Sequence, residues 1–143
     1  MSTVFDVARY ILHKRGRMST MKLQKLCYYC QAWSLVWDDV ELFPEEFQAW
    51  ANGPVCKPLF DQTKGRFDAC EYDEPGNINN LSRMQLDTIN SVLDYYGDHD
   101  AQWLSQLTHK EDPWNIARVG IPAGMGCDRV ISKESMAIYY GSL

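Results

Sequence analysis

The sequence predicts a mainly α-helical, single-domain fold built around a central apolar helix over about residues 20–37. In most segments apolar residues recur every three or four positions, which is the period of an amphipathic helix. Residues that favour helix N-termini, chiefly Ser, Thr and Asp, stand before several of these segments. Strand-like sequence is confined to a short β-hairpin near residues 40–51. The 143 residues match the size of one domain, so we expect a single domain over 1–143.

The first two predicted helices carry the clearest patterns. One begins after Ser2 or Thr3 and ends at Gly16, and its apolar face consists of Val4, Val7, Ala8 and Ile11. The other begins after Ser19 or Thr20 and runs to about residue 37, with an apolar stripe of Leu23, Leu26, Cys27, Cys30 and Trp37. A helix this apolar is usually touched on most sides, whereas Gln24, Tyr28 and Gln31 form a more polar stripe.

Residues 38–51 have no helical period, and their apolar residues, interrupted by Pro44, fit one or two short strands or an extended loop. A tight turn is predicted at Asn52-Gly53-Pro54-Val55, because a proline keeps the preceding residue away from right-handed helical angles. The next helix is predicted to start at Pro54 or at Pro58 and to reach about Lys64.

The remaining chain is predicted to hold a polar surface loop over 65–80 and then four further helices. Ser82-x-x-Gln85 is a capping box that opens a helix ending at Gly97. Asp98 or Asp100 opens the next one. Asp112 and Pro113 are predicted as the N-cap and first residue of a short helix over Trp114–Arg118, and Ser132 caps the last helix, which carries Met136, Ala137 and Tyr140.

Charge and cysteine content narrow the class of protein. The net charge of −5 disfavours nucleic acid as the main partner, since phosphate binding requires a basic face. Five cysteines, an odd number, and no leader pattern at Met1 indicate free thiols in the cytoplasm. No apolar run is long enough to predict a membrane span.

Candidate chemistry is sparse, and no cofactor is expected. Cys27-x-x-Cys30 lies inside a predicted helix, which favours core packing over a redox pair. A zinc site with Cys56 and Cys70 has no common ligand spacing, yet it stays open as an alternative, as does a cysteine-dependent enzyme. The latter would pair Cys56 or Cys127 with His99 or His109. The carboxylate pairs are expected on solvated loops or at helix caps: Glu45-Glu46, Asp73-Glu74 and Glu111-Asp112.

Two strings together resemble a known family. The first is Leu23-Gln24-Lys25-Leu26-x-x-Tyr29, followed by Ala49-Trp50-x-x-Gly53-Pro54-Val55. The second is Leu104-x-x-Leu107-Thr108-His109 with Pro113-Trp114 downstream. Over about residues 3–120 the chain is similar to the Panacea domain, also described as the SocA/GepA-like antitoxin domain of bacteria, phages and integrated elements. The combination of Ala-Trp with Gly-Pro-Val is the more specific part of the resemblance.

The resemblance implies a mostly α-helical, non-catalytic domain that neutralises a cognate toxin by direct protein–protein binding. The toxin is usually encoded by an adjacent gene. One family member is described as an adaptor that delivers its toxin to a AAA+ protease, which gives a second candidate function. No oligomeric state is implied.

The family-motif positions are the candidate partner-binding residues: Lys25, Tyr29, Trp50, Asn52, Gly53, Pro54, Val55 and Trp114. Lys25 is prominent among them, because a charge beside the core stripe of a central helix needs a carboxylate, a helix C-terminus or a partner. Tyr29 and Trp50 are candidate aromatic anchors, the residue types that dominate binding energy at interfaces. Asn52-Gly53-Pro54 is expected to serve the turn first.

Overall fold

Helices account for most of the secondary structure in the computed structural model, which describes residues 1–143. The seven helices are α1 (Val4–Arg15), α2 (Thr20–Trp37), α3 (Lys57–Thr63), α4 (Arg83–Tyr96), α5 (Ala101–His109), α6 (Asp112–Ala117) and α7 (Lys133–Gly141). The five short strands are β1 (Met18–Ser19), β2 (Phe47–Trp50), β3 (Gly53–Cys56), β4 (Asp68–Ala69) and β5 (Val130–Ile131). They form an antiparallel sheet in the order β3-β2-β5 and a separate β1-β4 ladder. The mainly α prediction is therefore confirmed. No helix combines the length and apolar character needed to cross a membrane.

Side-chain caps fix the helix starts close to their predicted positions. Thr3 and Asp6 form a reciprocal capping box at the start of α1, and Ser82 and Gln85 form the predicted one at α4. Asp100 accepts a hydrogen bond from the backbone N–H of Trp103 at 2.8 Å and so opens α5. Ser19 and Ser132 cap α2 and α7 in the same way.

The hairpin lies further along the chain than predicted. It pairs β2 with β3 in the register Phe47↔Cys56 and Trp50↔Gly53, whereas the sequence placed it near 40–51. Gly53-Pro54-Val55 belongs to its second strand rather than to a turn leading into a helix. Gly53 has φ +116°, which glycine adopts without strain, and β3 is an edge strand, where proline is tolerated. Helix α3 consequently begins at Lys57, close to the later predicted start at Pro58.

Two other segments also differ from prediction. Strand β5 pairs with β2 through Phe47↔Ile131, a two-residue strand too short to leave a periodic signal. The loop over 65–80 contains β4 and two 3-10 turns, and it is anchored to α1. There the Asp6 carboxylate accepts a hydrogen bond from the backbone N–H of Asn77 at 2.7 Å. A Cβ at Gly76 would clash with the backbone carbonyl of Phe5, so the loop packs directly on the helix backbone.

Helix α2 contacts α1, α3, α4, α5, α7 and β3, and every residue from Leu23 to Ala32 is buried. Its predicted polar stripe is buried too, and the side-chain amides of Gln24 and Gln31 are hydrogen-bonded to backbone groups. The Gln24 amide donates to the Cys56 carbonyl and accepts from the Cys56 N–H, at 3.1 and 2.8 Å. The Gln31 amide does the same with Phe43 and Leu42, both at 2.7 Å. These paired amides attach the hairpin and the 38–46 connection to α2 without leaving buried polar atoms unsatisfied.

Candidate functional site

The family-motif positions converge where the hairpin, α2 and the α5–α6 junction meet. Lys25 comes from the buried face of α2 and Gly53 from the start of β3. Thr108 and His109 end α5, and Trp114 lies in α6. We call these five residues, Lys25, Gly53, Thr108, His109 and Trp114, the motif cluster.

Lys25 is fully buried, and its Nζ has no hydrogen-bond partner. Its side chain runs against the hairpin: a Cβ on Gly53 would lie 2.6 Å from Lys25 Cε and 3.1 Å from Thr108 Oγ1. Only glycine leaves room for the lysine there. Burial disfavours the charged amine and lowers the pKa of Lys25 from 10.5 to about 7.

His109 is the second cluster residue with an unsatisfied buried atom, its Nε2. Its ring stacks on Trp114 with the ring centroids 4.0 Å apart and the planes 22° from parallel. Burial, followed by the nearby Lys25 charge, lowers the pKa of His109. Burial therefore shifts both nitrogen bases of the cluster toward their neutral forms.

Trp114 joins α6 to the hairpin. Its indole Nε1 donates to the Trp50 carbonyl oxygen at 2.8 Å. The guanidinium of Arg118 lies 4.9 Å from the Trp114 ring centroid and donates through Nη1 to the Ala49 carbonyl at 2.8 Å. This indole and guanidinium thus bond to consecutive strand carbonyls on β2, which fixes the hairpin relative to α6.

Tyr29 belongs to a neighbouring set, which we call the tyrosine–carboxyl cluster: Tyr28, Tyr29, Glu111 and Tyr140. The hydroxyls of Tyr29 and Tyr140 both donate to Glu111 Oε1 at 2.7 Å, and the Tyr28 and Tyr140 hydroxyl oxygens are 3.1 Å apart. Glu111 is only 6% exposed. Burial raises its pKa, while the two hydroxyl donors oppose the increase by stabilising the carboxylate.

The expectation that the carboxylate pairs are solvated or cap helices holds for Glu46, Asp73 and Asp112, which are exposed, but it is wrong for two others. Glu111 precedes α6 but makes no capping hydrogen bond, and Glu74 is also buried, at 3% exposure. Asp112, predicted as the N-cap of this helix, is its first residue instead. Sequence reasoning missed Glu111 because a carboxylate beside Asp112-Pro113 has the pattern of a helix start. For Tyr140, the only indication in the sequence was its position on the apolar face of the last predicted helix.

Exposure divides the candidate partner-binding residues. Asn52 is exposed at the hairpin tip, and Trp50 is half-buried with its ring edge-on to Phe60 at a centroid distance of 4.8 Å. Lys25, Tyr29, Gly53, Pro54, Val55 and Trp114 are buried. A cleft of about 560 Å³ opens beside the tip, lined by Gln48, Trp50, Asn52, Lys57, Cys127 and Asp128 among others. The partner-binding role of all eight positions stays a prediction.

Three of the five cysteines are packed in the core. Cys27, Cys30 and Cys56 are buried free thiols, whereas Cys70 and Cys127 are partly exposed. Burial raises the pKa of all three buried thiols, that of Cys56 to about 12, so their nucleophilic thiolate forms are disfavoured. No group of three or more His, Cys, Asp or Glu side chains is placed to hold a metal ion.

Comparison with known families gives one match. The family described as "Antitoxin SocA-like, Panacea domain" matches residues 23–115, a segment that runs from the start of α2 into α6. It includes all of the motif cluster. Comparison with the curated proteins and with the solved structures gave no match.

Proposed function

This chain belongs to the SocA-like antitoxin family of the Panacea domain, and from that membership we propose that it neutralises a toxin protein by binding it directly, without catalysis. The family match carries this proposal, because it spans the α2, hairpin and α5–α6 segments that build the motif cluster. The toxin is expected from an adjacent gene.

The physical character of the chain supports a binding role. A stoichiometric inhibitor needs a rigid surface complementary to its target. Here the hairpin tip packs against the Lys25 side chain at Gly53 and accepts a hydrogen bond from the Trp114 indole at the Trp50 carbonyl. Because the buried groups fix the tip, little conformational entropy is lost when a partner binds it. The net charge of −5 would accelerate encounter with a basic toxin.

We propose the cleft beside the hairpin tip as the toxin-binding surface within the motif region. Trp50 offers a half-buried aromatic anchor, a residue type enriched at the centre of protein interfaces, and Asn52 adds an exposed amide beside it. Among the buried motif positions, Lys25, Gly53 and Trp114 then act through the tip by setting its position. Lys25 and Gly53 are positioning residues on this account.

Two further proposals concern the domain organisation of the chain and its location in the cell. We propose one domain over 1–143, supported by a single cluster of 31 buried hydrophobic residues that draws on helices from α1 to α7. A cytoplasmic location is consistent with five free cysteines, since reducing compartments keep thiols unpaired. Delivery of the toxin to a AAA+ protease stays a prediction.

Co-expression tests the proposal. The chain is expressed together with each neighbouring gene product, and growth and co-purification are scored. We expect one neighbour that is lethal alone, tolerated with the chain, and recovered in complex with it. Failure of every neighbour to be toxic or to co-purify would overturn the proposal.

Variants then test the surface. Trp50→Ala and Asn52→Arg are expected to weaken rescue, because they remove the anchor and place a charge at the tip. Tyr72→Ala is the matched control, an aromatic truncation at an 88% exposed position outside the cleft. Full growth rescue by both cleft variants would show that the toxin binds a different surface.

A further inference from the structure

A second cleft, distinct from the one at the hairpin tip, lies between α2, α4 and the α5–α6 junction. Its volume is about 510 Å³, and its lining includes Trp33, Trp37, Tyr95, Tyr96, Leu107 and Glu111. We call it the aromatic cleft. Trp37 is 51% exposed and Tyr95 70% exposed, although large aromatic side chains are usually buried.

The aromatic walls are held in fixed orientations. Trp33 stacks on Trp37 with ring centroids 4.9 Å apart, and Tyr95 meets Tyr96 edge-on at 4.7 Å. The Trp33 indole Nε1 donates to the Tyr96 hydroxyl at 2.9 Å, so this N–H is already paired and cannot serve a ligand. The walls therefore present π surfaces, which attract either apolar groups or cations.

Glu111 decides between these two classes of occupant. The cleft reaches this buried carboxyl, and both tyrosine donors bond to Oε1, with no hydrogen bond to Oε2. No lysine, arginine or histidine forms an ion pair with it. A buried carboxylate without a counterion is unfavourable, and a cation entering the cleft would relieve that cost.

The charges around the mouth of the aromatic cleft also favour a cation as its occupant. An adjoining groove shares Trp37 and Ser91 with the aromatic cleft and is lined by Asp38 and Asp87. Its one cation, Arg83, is paired with Asp87 at 3.3 Å. A basic group approaching Trp37 thus meets a net acidic rim before it reaches the aromatic walls.

We propose that the aromatic cleft binds an arginine side chain of a partner protein, with the guanidinium against the aromatic rings and directed at Glu111. A planar guanidinium suits this site, since it stacks on aromatic rings and donates to a carboxylate at once. The inference deepens the proposed function and rests on it, because the partner is the neutralised toxin.

The test uses a small probe and the purified full chain, so it needs no toxin. N-acetyl-arginine amide is titrated while the indole N–H signals of Trp33 and Trp37 are followed by NMR. N-acetyl-citrulline amide, nearly isosteric and uncharged, is the matched probe. We expect the arginine probe to bind about tenfold more tightly than the citrulline probe.

Two variants locate the binding. Glu111→Gln retains an oxygen to accept the tyrosine hydrogen bonds and is expected to abolish the preference for arginine. Tyr95→Ala, at an exposed position with no hydrogen bond, is expected to weaken both probes and serves if Glu111→Gln fails to fold. Phe67→Ala, at an 83% exposed position outside the cleft, should change neither.

Three results would overturn the inference. Equal affinity for the two probes would assign the cleft to an apolar group. Undiminished arginine preference in Glu111→Gln, or undiminished arginine affinity in Tyr95→Ala, would place the binding elsewhere. Concentration-dependent dimerisation abolished by Trp37→Ala would assign the cleft to a second copy of the chain. In each case toxin neutralisation could persist, so this failure is distinguishable from failure of the proposed function.

Discussion

Lys25 and Gly53 fit together so closely that a Cβ on the glycine would lie 2.6 Å from Lys25 Cε. Real Cβ atoms almost never approach another heavy atom this closely, so the absence of a side chain at position 53 is what admits the lysine. The contact joins the buried face of α2 to the first residue of β3. It therefore links the Leu23–Tyr29 and Ala49–Val55 parts of the first motif string, which are far apart in the sequence.

Gly53→Ala is predicted to destabilise the fold by about 2–4 kcal/mol, because the left-handed φ and the clash with Lys25 add together. Chemical denaturation measures the change. Gly124→Ala is the matched control: its φ is +81° but a Cβ there meets nothing, so only about 1 kcal/mol is expected. Equal losses in the two variants would refute the steric role of Lys25.

Because the Lys25 amine is buried, we expect the free energy of unfolding to depend on pH. Its pKa is about 7 in the folded protein and 10.5 when unperturbed, so between these values the unfolded chain binds more protons. Unfolding free energy should therefore rise as pH increases from about 7, by at most about 5 kcal/mol for this group. Denaturation between pH 6.5 and 9.5 should show this rise in the parent chain and not in Lys25→Met. Parallel pH profiles would contradict it.

The tyrosine–carboxyl cluster predicts non-additive losses. Tyr29→Phe and Tyr140→Phe should each cost about 1–3 kcal/mol, since each removes a hydrogen bond to a buried carboxyl group. Both hydroxyls share Glu111 Oε1, so a double-mutant cycle should give a coupling of at least about 0.5 kcal/mol. Strict additivity would show that the two donors act independently.

Trp114→Phe is predicted to destabilise by about 1–2 kcal/mol, because it removes the 2.8 Å hydrogen bond to the Trp50 carbonyl and reduces the packed area. Trp103→Phe is the matched control, since Trp103 is 40% exposed and its indole forms no hydrogen bond. Thermal unfolding of both variants measures the difference. A larger loss at position 103 would contradict the joining role of Trp114.

Thiol labelling should divide the five cysteines by burial. Cys70 and Cys127 are expected to react with an aromatic disulfide reagent in the folded protein. Cys27, Cys30 and Cys56 are expected to react only in denaturant, because burial raises their pKa and blocks access. Rapid labelling of more than two thiols under native conditions would count against this packing.

Helix locations could be predicted from the sequence because caps and apolar periods are local signals. Ser82-x-x-Gln85 and Asp100 appear in the structure as capping residues, as their spacing indicated. Features that depend on distant partners were not predictable. Strand β5 pairs with β2 across about 80 residues of sequence, and the hairpin is bonded at the Cys56 backbone to Gln24 of a different element.

The candidate site shows the same division. The sequence indicated that Lys25 needed a special environment, since a charge beside an apolar stripe must be accommodated. The sequence could not indicate that the Lys25 side chain packs against Gly53. Nor could it indicate that Glu111 is buried and accepts hydrogen bonds from Tyr29 and Tyr140. Such contacts arise from three-dimensional packing and have no periodic pattern.

Inhibition of the purified toxin by the purified chain tests the central claim most directly. The toxin's activity is measured as the chain is added, with no protease or other component present. Direct neutralisation predicts a sharp loss of activity at a fixed molar ratio, and weaker inhibition by Trp50→Ala than by Tyr72→Ala. Full toxin activity at saturating chain would contradict the claim and leave delivery to a protease as the remaining role.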